Sequence, residues 1–128
     1  MNVHLDTSVL VEAFVGHEPV SGSLRSLART GDRPAISALV LFEWLRGPRT
    51  SEELALREAL FPDGRVLAFG PVEAVKAANL YREVRRPRGR EADLEIAACA
   101  IEHDAALWTL NVKDFLDIPN LRIYQPPQ

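Results

Sequence analysis

The sequence predicts an α/β fold, an α/β/α sandwich around a central, mainly parallel sheet of about five strands. Two observations point there. Short apolar stretches alternate with longer segments whose apolar residues recur at helical spacing. The strand candidates are apolar runs rather than alternating ones, which suits a parallel sheet covered on both faces. The chain has 128 residues and a mass of 14.2 kDa, 47% hydrophobic and 26% charged, so one globular domain over 1–128 is expected, with a short Pro-containing tail at 125–128.

Asn2-Val3-His4-Leu5 is the first strand and runs into Asp6-Thr7-Ser8, residues that favour helix N-caps. Val9, Leu10, Ala13 and Phe14 make the first helix, closed by Gly16. After Glu18-Pro19 a second helix carries Val20, Leu24, Leu27 and Ala28 and ends near Thr30-Gly31-Asp32. Pro34-Ala35-Ile36-Ser37 reads as the second strand. A helix from Ala38 carries Leu39, Phe42, Glu43 and Leu45 and stops at Gly47-Pro48, and another starts at Ser51-Glu52-Glu53 and runs to Leu60. Val66-Leu67-Ala68-Phe69 is the third strand candidate. Pro71 opens a long helical pattern through Val84, leading into an Arg-rich segment that ends at Arg90. Glu91 to His103 is an Ala-rich helix, Ala106-Leu107-Trp108-Thr109 a fourth strand and Leu121-Arg122-Ile123-Tyr124 a fifth.

In such sheets ligands bind at the carboxyl ends of strands, so the acids there draw first attention. Asp6 ends a strand and starts a helix; taken alone it is an N-cap. Asp93 lies in the first turn of its helix, where the dipole favours a carboxylate. Glu43 sits inside the apolar run Leu39-Val40-Leu41-Phe42-Glu43-Trp44-Leu45, where a helix needs no acid and an unpaired buried charge is costly. Asp114 follows a strand, with Thr109 and Asn111 placed to hydrogen-bond a nearby carboxylate. Four acids meeting at one sheet edge repel one another unless a cation intervenes, and a hard ion such as Mg²⁺ or Mn²⁺ takes carboxylate oxygens.

Other chemistries lack their residues. Cys99, His4, His17 and His103 show no zinc-ligand spacing, and no phosphate-binding Gly-rich loop or serine or cysteine triad is visible. A haloacid-dehalogenase-type phosphatase wants a second Asp two residues after the first, where Ser8 stands; a phospho-receiver wants an acid pair in its first loop. The lone Cys99 suits a reducing compartment. No apolar run approaches the roughly 20 residues of a membrane span, and the N-terminus does not read as a signal peptide, so a cytoplasmic protein with no membrane partner is expected.

Leu5-Asp6-Thr7-Ser8-Val9-Leu10, Phe42-Glu43, Asp93-Leu94-Glu95-Ile96-Ala97-Ala98 followed by Ile101-Glu102-His103, and Thr109-x-Asn111-x-x-Asp114-Phe115 followed by Ile118-Pro119 together resemble a PIN domain of the VapC toxin type, in order and over nearly the whole chain. The resemblance implies a metal-dependent endoribonuclease, the toxin of a toxin–antitoxin pair, with RNA as substrate, a VapB-like antitoxin as partner and commonly a homodimer. It implies Asp6, Glu43, Asp93 and Asp114 as catalytic metal ligands for Mg²⁺, with Mn²⁺ as substitute, and leaves open whether Asn111 or Asp114 completes the set. Thr7, Ser8, Thr109 and Asn111 are supporting residues. Metal-activated water would attack the phosphodiester in line, leaving 5′-phosphate and 3′-hydroxyl ends. The alternative is a non-catalytic PIN-like module that acts only through its antitoxin.

The net charge is −3 and the pI about 5.6, whereas domains that grip nucleic acid through their overall field often exceed a pI of about 9. RNA contact therefore falls to a local patch. Thirteen of the 15 basic residues are Arg, and Arg85, Arg86, Arg88 and Arg90 fall within six positions just before Asp93. Arg86, Arg88 and Arg90 are the RNA-binding candidates and Arg46 and Arg49 a weaker second pair. The large apolar residues Leu24, Leu27, Phe42, Trp44, Leu45, Leu54 and Leu60 read first as core; the family resemblance adds an antitoxin groove.

Overall fold

The computed structural model describes residues 1–16 and 18–127, so His17 and Gln128 lie outside the described residues. Its sheet has β1 (Asn2–Leu5) at the centre, β2 (Arg33–Ala35) on one side and β3 (Ala105–Trp108) on the other, both parallel to it. Val3 pairs with Pro34 and with Ala106, and Leu5 faces Trp108 at the carboxyl end. Side chains alternate across a strand, yet Val3, His4 and Leu5 are all completely buried. Both faces of the sheet are therefore covered, as the apolar runs required.

The helices are α1 (Thr7–Phe14), α2 (Val20–Arg29), α3 (Ala38–Leu45), α4 (Ser51–Leu60), α5 (Pro71–Glu83) and α6 (Glu91–Glu102). Each begins where the sequence places a start. Asp6 and Ser37 cap α1 and α3 with their side chains, and Thr50 and Glu53 form a reciprocal capping box on α4. Pro71 is the first residue of α5, where its missing N–H costs nothing. One core joins Val3, Leu5, Val9, Leu10, Leu27, Ile36, Trp44, Leu80, Leu94, Ile96, Leu107 and Phe115.

The expected five strands are corrected to three, with a single parallel bridge at each edge: Ser37 with Leu67 and Leu107 with Ile123. On one edge Leu67 donates to Ile36 O and accepts from Ala38 N, both at 2.9 Å. Pairing stops there because the partner segment enters α3 at Ala38; the Ala68 carbonyl, turned the other way in an extended chain, accepts from His103 Nε2 at 2.9 Å and Cys99 Sγ at 3.5 Å. On the other edge Leu107 bonds to Arg122 O and Tyr124 N, and Pro126-Pro127 follow without N–H groups to extend the pairing.

Of the apolar residues assigned to the core, Leu27 and Trp44 are buried, but Phe42, Leu45, Leu54 and Leu60 are exposed. No helix among the described residues is long and apolar enough to cross a membrane.

Candidate active site

The main-chain N–H of Asp6 donates to Trp108 O at 2.9 Å, which brings the carboxyl ends of β1 and β3 to the same edge. There Asp6 is nearly buried and both its oxygens are held. Oδ1 accepts from Thr7 N at 2.9 Å; Oδ2 accepts from Thr109 Oγ1 at 2.7 Å and Ser8 Oγ at 3.2 Å. The two hydroxyls are fixed in turn, since Asn111 N donates to Thr109 Oγ1 at 3.0 Å and Leu110 N to Ser8 Oγ at 3.2 Å. The Thr7 hydroxyl reaches Glu43 Oε1 at 2.8 Å. Ser8 and Thr109 thus support Asp6, Thr7 joins Asp6 to Glu43, and Asn111 enters through its main chain.

Asp93 is half-buried in the first turn of α6. Burial, then the charges of Asp6, Asp114 and Glu43, push its carboxyl up to about 6, against the opposing pull of Arg90. The fold therefore brings Asp6, Glu43 and Asp114 within electrostatic reach of Asp93, although the four are separated by up to 108 positions in the chain. Among the described residues, no group of three acid, imidazole or thiol side chains is drawn together closely enough to hold a metal ion. The cluster fits a hard divalent cation in donor type and charge: its donors are carboxylate oxygens, and the mutual repulsion that opposes the charge of Asp93 is what a nearby cation would offset.

Two residues of this region escaped the sequence reading. Glu95 lines a cleft of about 310 Å³ with Glu43, Leu39, Phe42 and Arg46, and burial followed by the Glu43 and Glu91 charges raises its pKa. The signal was available, because Glu95 is an acid inside an apolar stretch just as Glu43 is. Asp117 had no such signal; it matters because it holds Arg90.

The basic candidates separate. Arg85, Arg86, Arg90 and Lys113 line an open cleft of about 580 Å³ together with Asp114 and Asp117. Arg86 and Arg88 are exposed, whereas the terminal nitrogens of Arg90 are engaged by Asp117 at 2.9 and 2.6 Å and by the Asp114 carbonyl at 3.0 Å. Arg49 donates to Trp44 O at 2.7 Å and stacks on the Trp44 ring, and Arg46 lies over Phe42. These two serve the α3 end.

The family model of the PIN domain matches residues 3–121. The chain belongs to the PIN domain family. All four acids of this PIN domain fall inside the matched region. It is 34% identical over 125 residues to Ribonuclease VapC19 of Mycobacterium tuberculosis, covering 96% of this chain and 97% of that protein. The fold is similar to the crystal structure of VapBC2 from Rickettsia felis bound to a promoter DNA fragment, with a TM-score of 0.81, 27% identity and coverage of 97% and 98% of the two chains. A toxin–antitoxin complex from Klebsiella pneumoniae matches this PIN domain with a TM-score of 0.73 and 25% identity over 98% of each chain.

Proposed function

We propose that this PIN domain is a divalent-metal-dependent endoribonuclease and the toxin of a toxin–antitoxin pair, with Asp6, Glu43, Asp93 and Asp114 as its metal-holding acids. The observation that carries the reading is the strand-end edge where Thr7 links Asp6 to Glu43 and where burial, then the charges of Asp6, Asp114 and Glu43, push Asp93 up to about 6. Kinship with a ribonuclease supports the choice of RNA.

Bound Mg²⁺ or Mn²⁺ would supply Lewis-acid polarisation of the scissile phosphodiester and a lowered pKa for the attacking water. The protein's own groups do the rest. Thr7 N, Ser8 and Thr109 fix both oxygens of Asp6, so this carboxylate is pre-oriented at no cost when the ion enters. The Thr7 hydroxyl aims Glu43. Asp93 is the group whose charge the fold opposes most, through burial and the neighbouring acids, and cationic charge beside it would relieve that opposition.

Arg86 and Arg88 are the proposed phosphate contacts, since both are exposed and Arg86 lines the cleft that Asp114 shares, while Arg90 is already engaged. Neutralising both is expected to weaken RNA binding and to flatten the dependence of affinity on salt by up to about two in log–log slope; an unchanged slope removes the patch from the RNA interface. A VapB-like antitoxin is the proposed partner, and the exposed Phe42, Leu45, Leu54 and Leu60 are the apolar surface it would cover. A homodimer is part of the same proposal, and a monomer by light scattering at micromolar concentration counts against it.

Sequencing of RNA ends after brief induction tests the catalytic reading. Cuts bearing 5′-phosphate and 3′-hydroxyl ends are expected, absent with chelator and absent in Asp93→Ala. Cyclic phosphate ends, or cutting that survives chelation, overturn it.

A further inference from the structure

Arg90 stands at the N-cap of α6, where short polar side chains usually accept a helix N–H, and it makes no such bond. Its guanidinium reaches across to the segment that follows β3. Nη1 and Nη2 donate to the two Asp117 oxygens at 2.9 and 2.6 Å, and Nη2 also donates to the Asp114 main-chain carbonyl at 3.0 Å. A forked arginine–carboxylate pair fixes orientation as well as distance. The arginine's own backbone is set, because its N–H donates to Pro87 O at 2.9 Å and Gly89 precedes it at φ +85°.

The two elements so joined carry two of the four acids. Asp93 is three residues beyond Arg90. Asp114 closes a 3₁₀ turn, Val112–Asp114, whose side chains face outward while Phe115 and Ile118 anchor the segment in the core. Apolar anchoring keeps the segment on the protein, but it does not set where an exposed carboxylate at Asp114 points.

We infer that Arg90 and Asp117 are positioning residues of the acid site, their ion pair clasping the 112–117 segment to the start of α6 and so setting Asp114 relative to Asp93. This rests on the metal-dependent reading above. Arg90 thereby parts company with Arg85 and Arg86: its guanidinium is tied to the 112–117 segment, whereas theirs stay exposed.

The test uses the full chain and Mn²⁺ alone as probe. Calorimetric Mn²⁺ titration of the parent, Asp117→Asn, Asp117→Glu, Arg90→Lys and the Arg90→Lys/Asp117→Asn pair is combined with RNA cleavage at saturating metal. Loss of the clasp is expected to weaken Mn²⁺ binding roughly 10-fold and to lower kcat with KM within about twofold. The double variant should be no worse than either single one, Asp117→Glu should recover part of the loss, and melting should shift by less than about 4 °C. Mn²⁺ affinity unchanged in Asp117→Asn while Asp93→Ala abolishes it overturns the clasp and leaves the metal site standing. A raised KM with unchanged kcat overturns it in favour of an RNA contact. A parent chain that binds no Mn²⁺ overturns both readings.

Discussion

At the amino end of α6, Asp93 is pushed up to about 6 by burial and by Asp6, Asp114 and Glu43. At its carboxyl end, His103 Nε2 donates to the Ala68 carbonyl at 2.9 Å and lies 3.4 Å from Glu73 Oε2, while the other Glu73 oxygen accepts from Gly70 N at 2.7 Å. That hydrogen bond, with His103 as a smaller contributor, holds the Glu73 carboxyl below its ordinary value. One helix thus carries an acid whose charge is opposed by its surroundings and faces another whose charge is welcomed. The charge of Glu73 is met by the fold itself, whereas that of Asp93 is met by nothing in the chain but Arg90, which is the difference that the proposed cation would remove.

The sharpest way to break the comparison is to delete both acids and measure both properties. Asp93→Ala is expected to remove RNA cleavage by roughly three powers of ten, because a metal-supplied stabilisation of several kcal/mol is lost, with the fold retained on circular dichroism. Glu73→Ala should leave cleavage within about twofold. Equal losses in the two variants would erase the distinction between the two ends.

Next in size is a pH effect centred on the carboxyl-end side. His4 is completely buried in β1, and burial is the main cause that drives its imidazole from 6.5 down to about 4, with His103 adding a smaller push. A lowered base binds its proton less well folded than unfolded. Its neutral form therefore stabilises the fold fully above pH 6.5, and up to about 3 kcal/mol is lost as the pH falls from 6.5 towards 4. Urea midpoints at pH 7 and pH 5 measure this, and His4→Leu should flatten the difference whatever its own stability.

Asp93 has the opposite sign. Its folded value of about 6 lies above the ordinary 3.8, so its contribution is best below 3.8 and turns unfavourable as the pH rises through 6. Metal-free Asp93→Asn should accordingly be more stable than the parent at pH 7 by about 1–3 kcal/mol. The gain should vanish at pH 4, and added Mg²⁺ should stabilise the parent but not the variant. A parent as stable as Asp93→Asn without metal would remove the uncompensated charge.

The smallest expected effect belongs to Glu73. Its lowered pKa means its stabilisation is present above its ordinary value and lost as the pH falls through the folded one. Glu73→Ala should cost about 1–2 kcal/mol at pH 7. Glu73→Gln, which can still accept from Gly70 N, should recover most of it; failure to do so would assign the effect to the His103 contact instead.

Helix starts were legible in the chain because their signals are local: Asp6 and Pro71 stand where the sequence put them, and the helices read from Ala38 and Ser51 begin there, with Ser37 and Thr50 as their caps. The acids were legible for a related reason. Glu43 violates its apolar surroundings and Asp6 ends a strand. The two edge strands were misread because local apolar content does not reveal that pairing beyond Leu67 ends where the partner segment enters α3 at Ala38, or that Pro126 has no N–H to extend the pairing beyond Tyr124. The role of Arg90 was equally hidden, since a run of arginines looks uniform until one of them finds Asp117.

The sequence by itself determined the alternation of strands and helices, the family and the four acids, because periodicity, capping and short ordered motifs are written in neighbouring residues. Only the tertiary structure decided how those acids couple, that Thr109 and Ser8 hold one Asp6 oxygen while Thr7 bridges to Glu43, and that Arg90 is bound by Asp117. Electrostatic and hydrogen-bond energies depend on distances through space, and parallel crossovers bring together residues that the chain keeps far apart.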